Sequence, residues 1–195
     1  MNLNISYNYK ITDIGEPEWY QNVYKEIWLD HEYSRYGVEV EEDDIVVDCG
    51  ANVGFFTLYA LDVKRAKHVY SIECEPKNID CLNVNLKDKK ATILPGWAGF
   101  EEENYNVGRI LREYNLSHID FMKIDIECGE YPFILNTPNE YLRKINKLVI
   151  ELHNIFNYQD KIYQIFEKFT KNGFDLNFEQ VHKNTNLALL YVKKR

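Results

Sequence analysis

No Cys-x-x-Cys pair occurs among the four cysteines, Cys49, Cys74, Cys81 and Cys128. Their scatter offers neither a zinc knuckle nor a disulfide framework, and reduced thiols in a cytosol-like, cytoplasmic compartment are expected. The chain shows no basic-then-apolar N-terminal segment of the kind a secretory leader needs. No apolar run approaches the roughly 18–20 residues of a membrane span, so a soluble protein is expected. Positive charge is in deficit: 23 Lys and Arg face 31 Asp and Glu, a formal net charge of −8. Recognition of a nucleic acid draws on clustered Lys and Arg, so this balance argues against that partner. Internal repeats and low-complexity linkers are also missing.

What the sequence does have is 195 residues, 45% of them hydrophobic, enough for one substantial core and too few for two typical domains. Residues 1–40 are the least regular part and carry Tyr7, Tyr9, Trp19, Tyr20, Tyr24, Trp28, Tyr33 and Tyr36. Pro17 suits the first turn of a helix, and Trp19/Tyr20, Val23/Tyr24 and Ile27/Trp28 recur at helical spacing. The resulting stripe either packs on the core or roofs a substrate pocket, so 1–40 reads as a helical, aromatic extension and a candidate lid. The acidic turn Glu41–Asp44, a solvated loop, opens the main domain, 41–195.

From Ile45 onward, short apolar runs alternate with amphipathic segments, the pattern of βαβ units and a parallel sheet. Strands are predicted at Ile45–Asp48, His68–Glu73, Ala91–Leu94, Asp120–Asp125, Lys147–Glu151, Phe174–Phe178 and Leu187–Val192. Helices are predicted at Gly54–Asp62, Lys77–Leu86, Val107–Tyr114, Tyr131–Asn136 and Tyr158–Asn172, the last with Gly173 to end it. The fold class is α/β, with seven strands in a mostly parallel Rossmann-like sheet and helices on both faces.

The strongest local signal is Asp48-Cys49-Gly50-Ala51-Asn52-Val53-Gly54, where a buried strand gives way to a helix. A nucleoside cofactor lies against such a turn only if the backbone comes close, which needs little side-chain bulk and tolerance of positive φ. Gly50 and Gly54 meet that need, and Asn52 is one of the few other residues that accept left-handed geometry. About twenty residues on, the next strand ends at Glu73, where a carboxylate can accept hydrogen bonds from both ribose hydroxyls of an adenosine. Glu73 is the choice for that role and Glu75, two residues on, its competitor; either also reads, less well, as a solvated acid at a strand end.

The runs Val46–Thr57, Tyr70–Pro76, Asp120–Glu127 and Leu148–His153 together resemble the FkbM-type methyltransferases, a branch of the Rossmann-like S-adenosylmethionine enzymes. The chain departs from that family twice. It reads Glu73-Cys74 where Glu-Pro is common, and Asp125-Ile126-Glu127-Cys128-Gly129-Glu130 where Asp-x-Glu-Gly-Ala-Glu is common, so the glycine has moved by one position.

The resemblance implies S-adenosylmethionine as cofactor, with Asp48, Gly50, Asn52 and Gly54 along its methionine and ribose side and Glu73 on the ribose. Trp97 and Ala98 would lie near the adenine, although Trp97 also reads as a core aromatic. Asp125, Glu151 and His153 fall where open α/β sheets place ligands, and they are the candidate catalytic residues. His153 is the natural base for a hydroxyl proton, because its ordinary pKa lies near neutrality; it also reads as a satisfied histidine at a strand end. Alternatively Asp125, Glu151 and His153 gather Mg²⁺ or Mn²⁺ to orient the acceptor. The expected function is O-methylation of a sugar, glycan or glycoconjugate hydroxyl. A nicotinamide-dependent oxidoreductase shares the turn and the carboxylate, although it would normally show Gly-x-Gly-x-x-Gly. A non-catalytic S-adenosylmethionine-binding module is the other alternative.

Overall fold

In the computed structural model, which describes residues 17–181 and 185–195, seven strands form one sheet. They are β1 (Ile45–Cys49), β2 (His68–Glu73), β3 (Ala91–Pro95), β4 (Ile119–Ile124), β5 (Ile145–His153), β6 (Phe174–Gln180) and β7 (Leu187–Lys194). The order across the sheet is β3-β2-β1-β4-β5-β7-β6. Strands β1 to β5 pair in parallel, and β7 runs antiparallel to both β5 and β6. The chain winds outward from β1 to β3, then returns to lay β4 on the other side of β1. Between the carboxyl ends of β1 and β4 lies the crevice that such a reversal opens, the usual ligand position in this architecture.

The central strands are apolar because helices cover both faces. Val46, Val47, Phe121, Met122, Leu148 and Val149 have no exposed surface. The helices are α1 (Pro17–Tyr24), α2 (Phe55–Leu58), α3 (Pro76–Asn85), α4 (Val107–Glu113), α5 (Glu130–Asn136), α6 (Asn139–Leu142) and α7 (Gln159–Lys171). The expected α/β alternation is all present, with strand ends displaced by only a few residues. Where one helix was expected over Gly54–Asp62, α2 widens after Leu58 into a π-helical turn, Tyr59–Val63, and α1 does the same over Lys25–Leu29. The short α6 follows Pro138 and has too few residues to show a period.

Tyr7, Tyr9 and the Trp19 side chain lie outside the description. The rest of the extension builds core: Tyr20, Ile27, Tyr33, Val38 and Val40 are buried in one cluster with Val46, Phe56, Phe121 and Tyr191. Burial of each large side chain contributes about 1.5–3 kcal/mol, so this segment is part of the domain's stability. The same segment also passes over the crevice, where Val23, Glu26, Ile27 and Tyr33 line its wall.

Candidate functional site

The turn after β1 is shaped by what lies beside it. At Gly50 the backbone has φ +78°, and a Cβ would sit 1.8 Å from the carbonyl oxygen of Asp125. The ends of β1 and β4 are therefore pressed together, and only glycine fits. Asn52 adopts φ 51°, the left-handed geometry expected of it, and its side-chain oxygen accepts from the Val53 amide at 2.7 Å. Gly54 has a different role from the one expected: its φ of +99° opens α2, and a Cβ would meet Leu82 at 3.0 Å. It permits packing against α3 and does not line the cleft.

Glu73 is buried and Glu75 exposed. The Glu73 carboxylate accepts the Asn52 amide at 2.7 Å on one oxygen, and the Cys74 and Glu75 amides at 3.0 and 2.8 Å on the other. It ties the β2 end to the β1 turn. Trp97 is 68% exposed, which removes the core reading. Ala98 packs partly against the core, and neither residue lines the cleft.

Beneath the turn lies a residue the sequence reading passed over as a site member. Lys123, on β4, is almost fully buried, with its Nζ 3.3 Å from Asp48 Oδ1, 3.3 Å from Asp125 Oδ2 and 3.1 Å from the Gly50 carbonyl oxygen. Burial opposes its charge, but Asp48, Asp125 and Glu151 outweigh this and raise its pKa. Asp48 is further held by the Thr57 hydroxyl, which donates at 2.8 Å. The signal was available: a lysine inside an apolar strand covered on both faces must have partners, because an unpaired buried charge is costly.

Across the crevice, His153 and Glu151 end β5. Glu151 accepts from the Tyr33 hydroxyl at 2.5 Å. Burial and the nearby Asp125 charge push its carboxyl up to about 7. His153 Nδ1 lies 2.8 Å from Glu130 Oε1, and its Nε2 faces Glu127, Glu151 and Asp125 at 3.6, 3.8 and 4.0 Å. Burial would lower its pKa, yet the Glu130 hydrogen bond and the surrounding carboxylates push it up to about 9. At neutral pH the ring is therefore imidazolium. Fully buried Glu130 and the hydroxyl of Tyr33 are two more contributors that sequence spacing did not reveal.

The loop between β4 and α5 explains the displaced glycine. Glu127 (φ 52°) and Cys128 (φ 73°) both take left-handed geometry, while Gly129 sits at φ −75° as the residue preceding α5. Cys128 thus takes left-handed geometry at the position where the family pattern reads glycine. The Asn154 amide donates to its sulfur at 2.8 Å.

The expected metal set of Asp125, Glu151 and His153 does not assemble as such; the atoms that converge within 4.8 Å belong to Asp125, Glu130 and His153. An imidazolium has no lone pair for a cation, and Lys123 already sets a positive charge against Asp125. The arrangement does not fit Mg²⁺ or Mn²⁺. Of the residues expected on S-adenosylmethionine, Gly50, Asn52 and Asp125 line one cleft with Ala51, Phe55, Glu151 and His153, whereas Asp48, Glu73, Trp97 and Ala98 do not line it.

The sequence matches the TRM5/TYW2 methyltransferase domain over residues 20–130, more than half the chain, and the methyltransferase FkbM domain over residues 99–176. It is 38% identical over 65 residues to 31-O-demethyl-FK506 methyltransferase FkbM of Streptomyces tacrolimicus, a match covering 33% of this chain and 25% of that protein. It is 23% identical over 211 aligned positions to the AMB antimetabolite synthetase AmbE of Pseudomonas aeruginosa, covering 73% of this chain and 10% of that protein. The chain thus spans a quarter or less of these relatives' length. In fold it is similar to Aeropyrum pernix fibrillarin in complex with S-adenosyl-L-methionine, with a TM-score of 0.61, 12% identity, and coverage of 88% of this chain and 76% of that one.

Proposed function

Since this chain belongs to the S-adenosylmethionine-dependent methyltransferases, as a TRM5/TYW2-type domain with an FkbM-type second half, we propose that it methylates a hydroxyl group, that of a sugar, glycan or glycoconjugate. One observation carries this reading. The cofactor turn at Gly50–Asn52 and the charged ends of β4 and β5 open into one cleft, so a methyl donor on the turn faces Asp125, Glu151 and His153. The name of the FkbM relative describes O-methylation, which supports a hydroxyl acceptor here. Glu73, tied to the Asn52 amide, would hold the ribose.

Bound S-adenosylmethionine supplies an electrophilic methyl on a sulfonium. For a hydroxyl acceptor to take that methyl, a residue of this chain would have to accept the hydroxyl proton. His153, protonated at neutral pH, is not the group to take it. Glu151 is: its carboxyl, raised to about 7, is poised between its two states, as general bases are. His153 then serves beside it as the cation that keeps four carboxylates together, and Asp125 with Lys123 fixes the floor of the cleft. The Tyr33 hydroxyl orients Glu151 from the extension, so residues 20–40 act as a lid contributing one polar contact.

Release of S-adenosylhomocysteine in the presence of mono- and oligosaccharides, with NMR location of the new methyl, tests this reading. Methylation on nitrogen or carbon, or no release with any hydroxyl acceptor, would replace it.

A further inference from the structure

Two residues that line the cleft, His153 and Glu151, present a donor and an acceptor that do not bond each other. His153 Nε2 lies 3.8 Å from Glu151 Oε1, beyond the roughly 2.7–3.2 Å of a hydrogen bond. Each is held from behind. Glu151 Oε2 accepts from the Tyr33 hydroxyl, which leaves Oε1 to meet a substrate. His153 Nδ1 donates to Glu130 Oε1 at 2.8 Å, and the same oxygen of this fully buried residue accepts the Ile126 amide at 3.2 Å. Neighbouring Tyr131 donates its hydroxyl to the His153 carbonyl oxygen at 2.7 Å, so the first turn of α5 grips both the ring and the backbone of His153. The second oxygen of Glu130 is buried with no hydrogen-bond partner among the described residues. A carboxylate so placed needs a cation beside it, and the His153 ring is that cation. With both ring nitrogens protonated, Nε2 is a donor. The other carboxylates near it, Glu127 at 3.6 Å and Asp125 at 4.0 Å, are ion pairs too long to be hydrogen bonds.

We infer that Glu130 is a positioning residue that holds the Nε2–H of His153 toward the substrate, and that the acceptor carries a second oxygen on the carbon next to the hydroxyl to be methylated, as a 1,2-diol or an α-hydroxy carbonyl compound does. The inference rests on the hydroxyl-methylation reading, with Glu151 as base. The reacting hydroxyl donates to Glu151 Oε1, and the neighbouring oxygen accepts from His153 Nε2. Two oxygens staggered on adjacent carbons suit a donor and an acceptor 3.8 Å apart, and oxygens on opposite carbons of a ring do not. One oxygen bridging both groups fits worse, because the imidazolium would then draw on the lone pairs that have to attack the methyl.

NMR of the protein with ¹⁵N-labelled histidine, saturated with S-adenosylhomocysteine and titrated with cyclohexane-1,2-diol or cyclohexane-1,4-diol, reads this contact without turnover. The His153 Nε2 resonance is expected to shift with the 1,2 isomer, which should bind about tenfold or more tightly than the 1,4 isomer. His153→Phe should bring the two isomers within about twofold. Glu130→Gln is expected to lower the titration midpoint of His153 from about 9 toward the ordinary 6.5, and to weaken the 1,2 isomer at least about threefold at pH 8. Where Glu130→Gln does not fold, the parent spectra and His153→Phe decide. A neutral His153 in the parent at pH 7, a midpoint unmoved by Glu130→Gln, equal affinity for the two isomers, or an Nε2 resonance that neither isomer shifts overturns the inference. Product analysis separates it from the function it rests on. O-methylation of both isomers at equal rates, with Nε2 unmoved, overturns the donor role and leaves the hydroxyl reading standing; a shifted Nε2 with methyl transfer found only on nitrogen or carbon does the reverse.

Discussion

The hydroxyl of Tyr33 donates to Glu151 Oε2 at 2.5 Å across 118 residues of sequence. The ring of Tyr33 lies over the Lys123 ammonium, whose Nζ is 5.5 Å from its centroid. One side chain of the extension therefore touches both the buried cation and the carboxylate at the end of β5. Its hydrogen bond lowers the pKa of Glu151 against the larger upward pushes of burial and Asp125.

The rate should follow that balance. With Glu151 as base and His153 required as a cation, kcat/KM is expected to rise through pH 7 and fall through pH 9. Tyr33→Phe should move the acid limb upward, because the lost hydrogen bond had favoured the carboxylate, and His153→Gln should remove the alkaline limb. Both groups hold their protons more tightly folded than unfolded. Each therefore makes stability fall with rising pH, Glu151 between 4.5 and about 7 and His153 between 6.5 and about 9. Thermal melts from pH 5 to 10 check the sign; a stability that rises over that range contradicts the protonated His153.

Glu73→Ala should weaken S-adenosylhomocysteine binding by roughly ten- to a hundredfold, the cost of about 1.5–3 kcal/mol for a charge-assisted contact. It should also lower the melting temperature, since three backbone amides lose their acceptor. Exposed Glu75→Ala is expected to change neither by more than about twofold in affinity. Calorimetry with equal constants for both variants would place the ribose elsewhere.

Gly50→Ala puts a methyl into the Asp125 carbonyl and into a left-handed backbone at once. A loss of stability above about 3 kcal/mol is expected, or failure to fold. Gly173→Ala, where nothing lies within 4 Å of the added carbon, pays only the left-handed penalty of about 1–2 kcal/mol. Urea unfolding of the two variants side by side decides whether the close approach, and not the dihedral alone, sets the cost.

Lys123→Met removes the partner of buried Asp48, and breaking a buried pair in this way costs about 3–5 kcal/mol. Turnover should fall further than stability predicts, because Asp125 loses its anchor as well. In the parent protein, excess chelator should leave turnover unchanged; restoration of a chelated enzyme by Mg²⁺ or Mn²⁺ would show that a cation displaces the arrangement described.

Legibility in the sequence followed burial. Strand segments such as Val46–Val47 and Leu148–Ile150 are apolar and fully buried and could be read from the run alone. The turn at Gly50–Asn52 could be read because glycine and asparagine announce left-handed backbone. The left-handed pair Glu127 and Cys128 could not, since neither residue type signals that geometry. The role expected of His153 followed from an isolated imidazole, whereas its charge is set by the Glu130 hydrogen bond from a different element, with Glu151 and Asp125 adding to it. The contact between Tyr33 and Glu151 had no local trace in the chain. Lys123 was legible and was passed over.

The place of β7 between β5 and β6 bears on how the domain is made. During synthesis β5 leaves the ribosome long before its neighbour, and β6 emerges with nothing to pair with, because the sheet edge waits for Leu187–Lys194. Until that last strand arrives, Leu148, Ile150 and Leu152 belong to an open edge, the kind of surface that recruits other nascent chains. A stop placed before Leu187 should give inclusion bodies rather than a shortened enzyme.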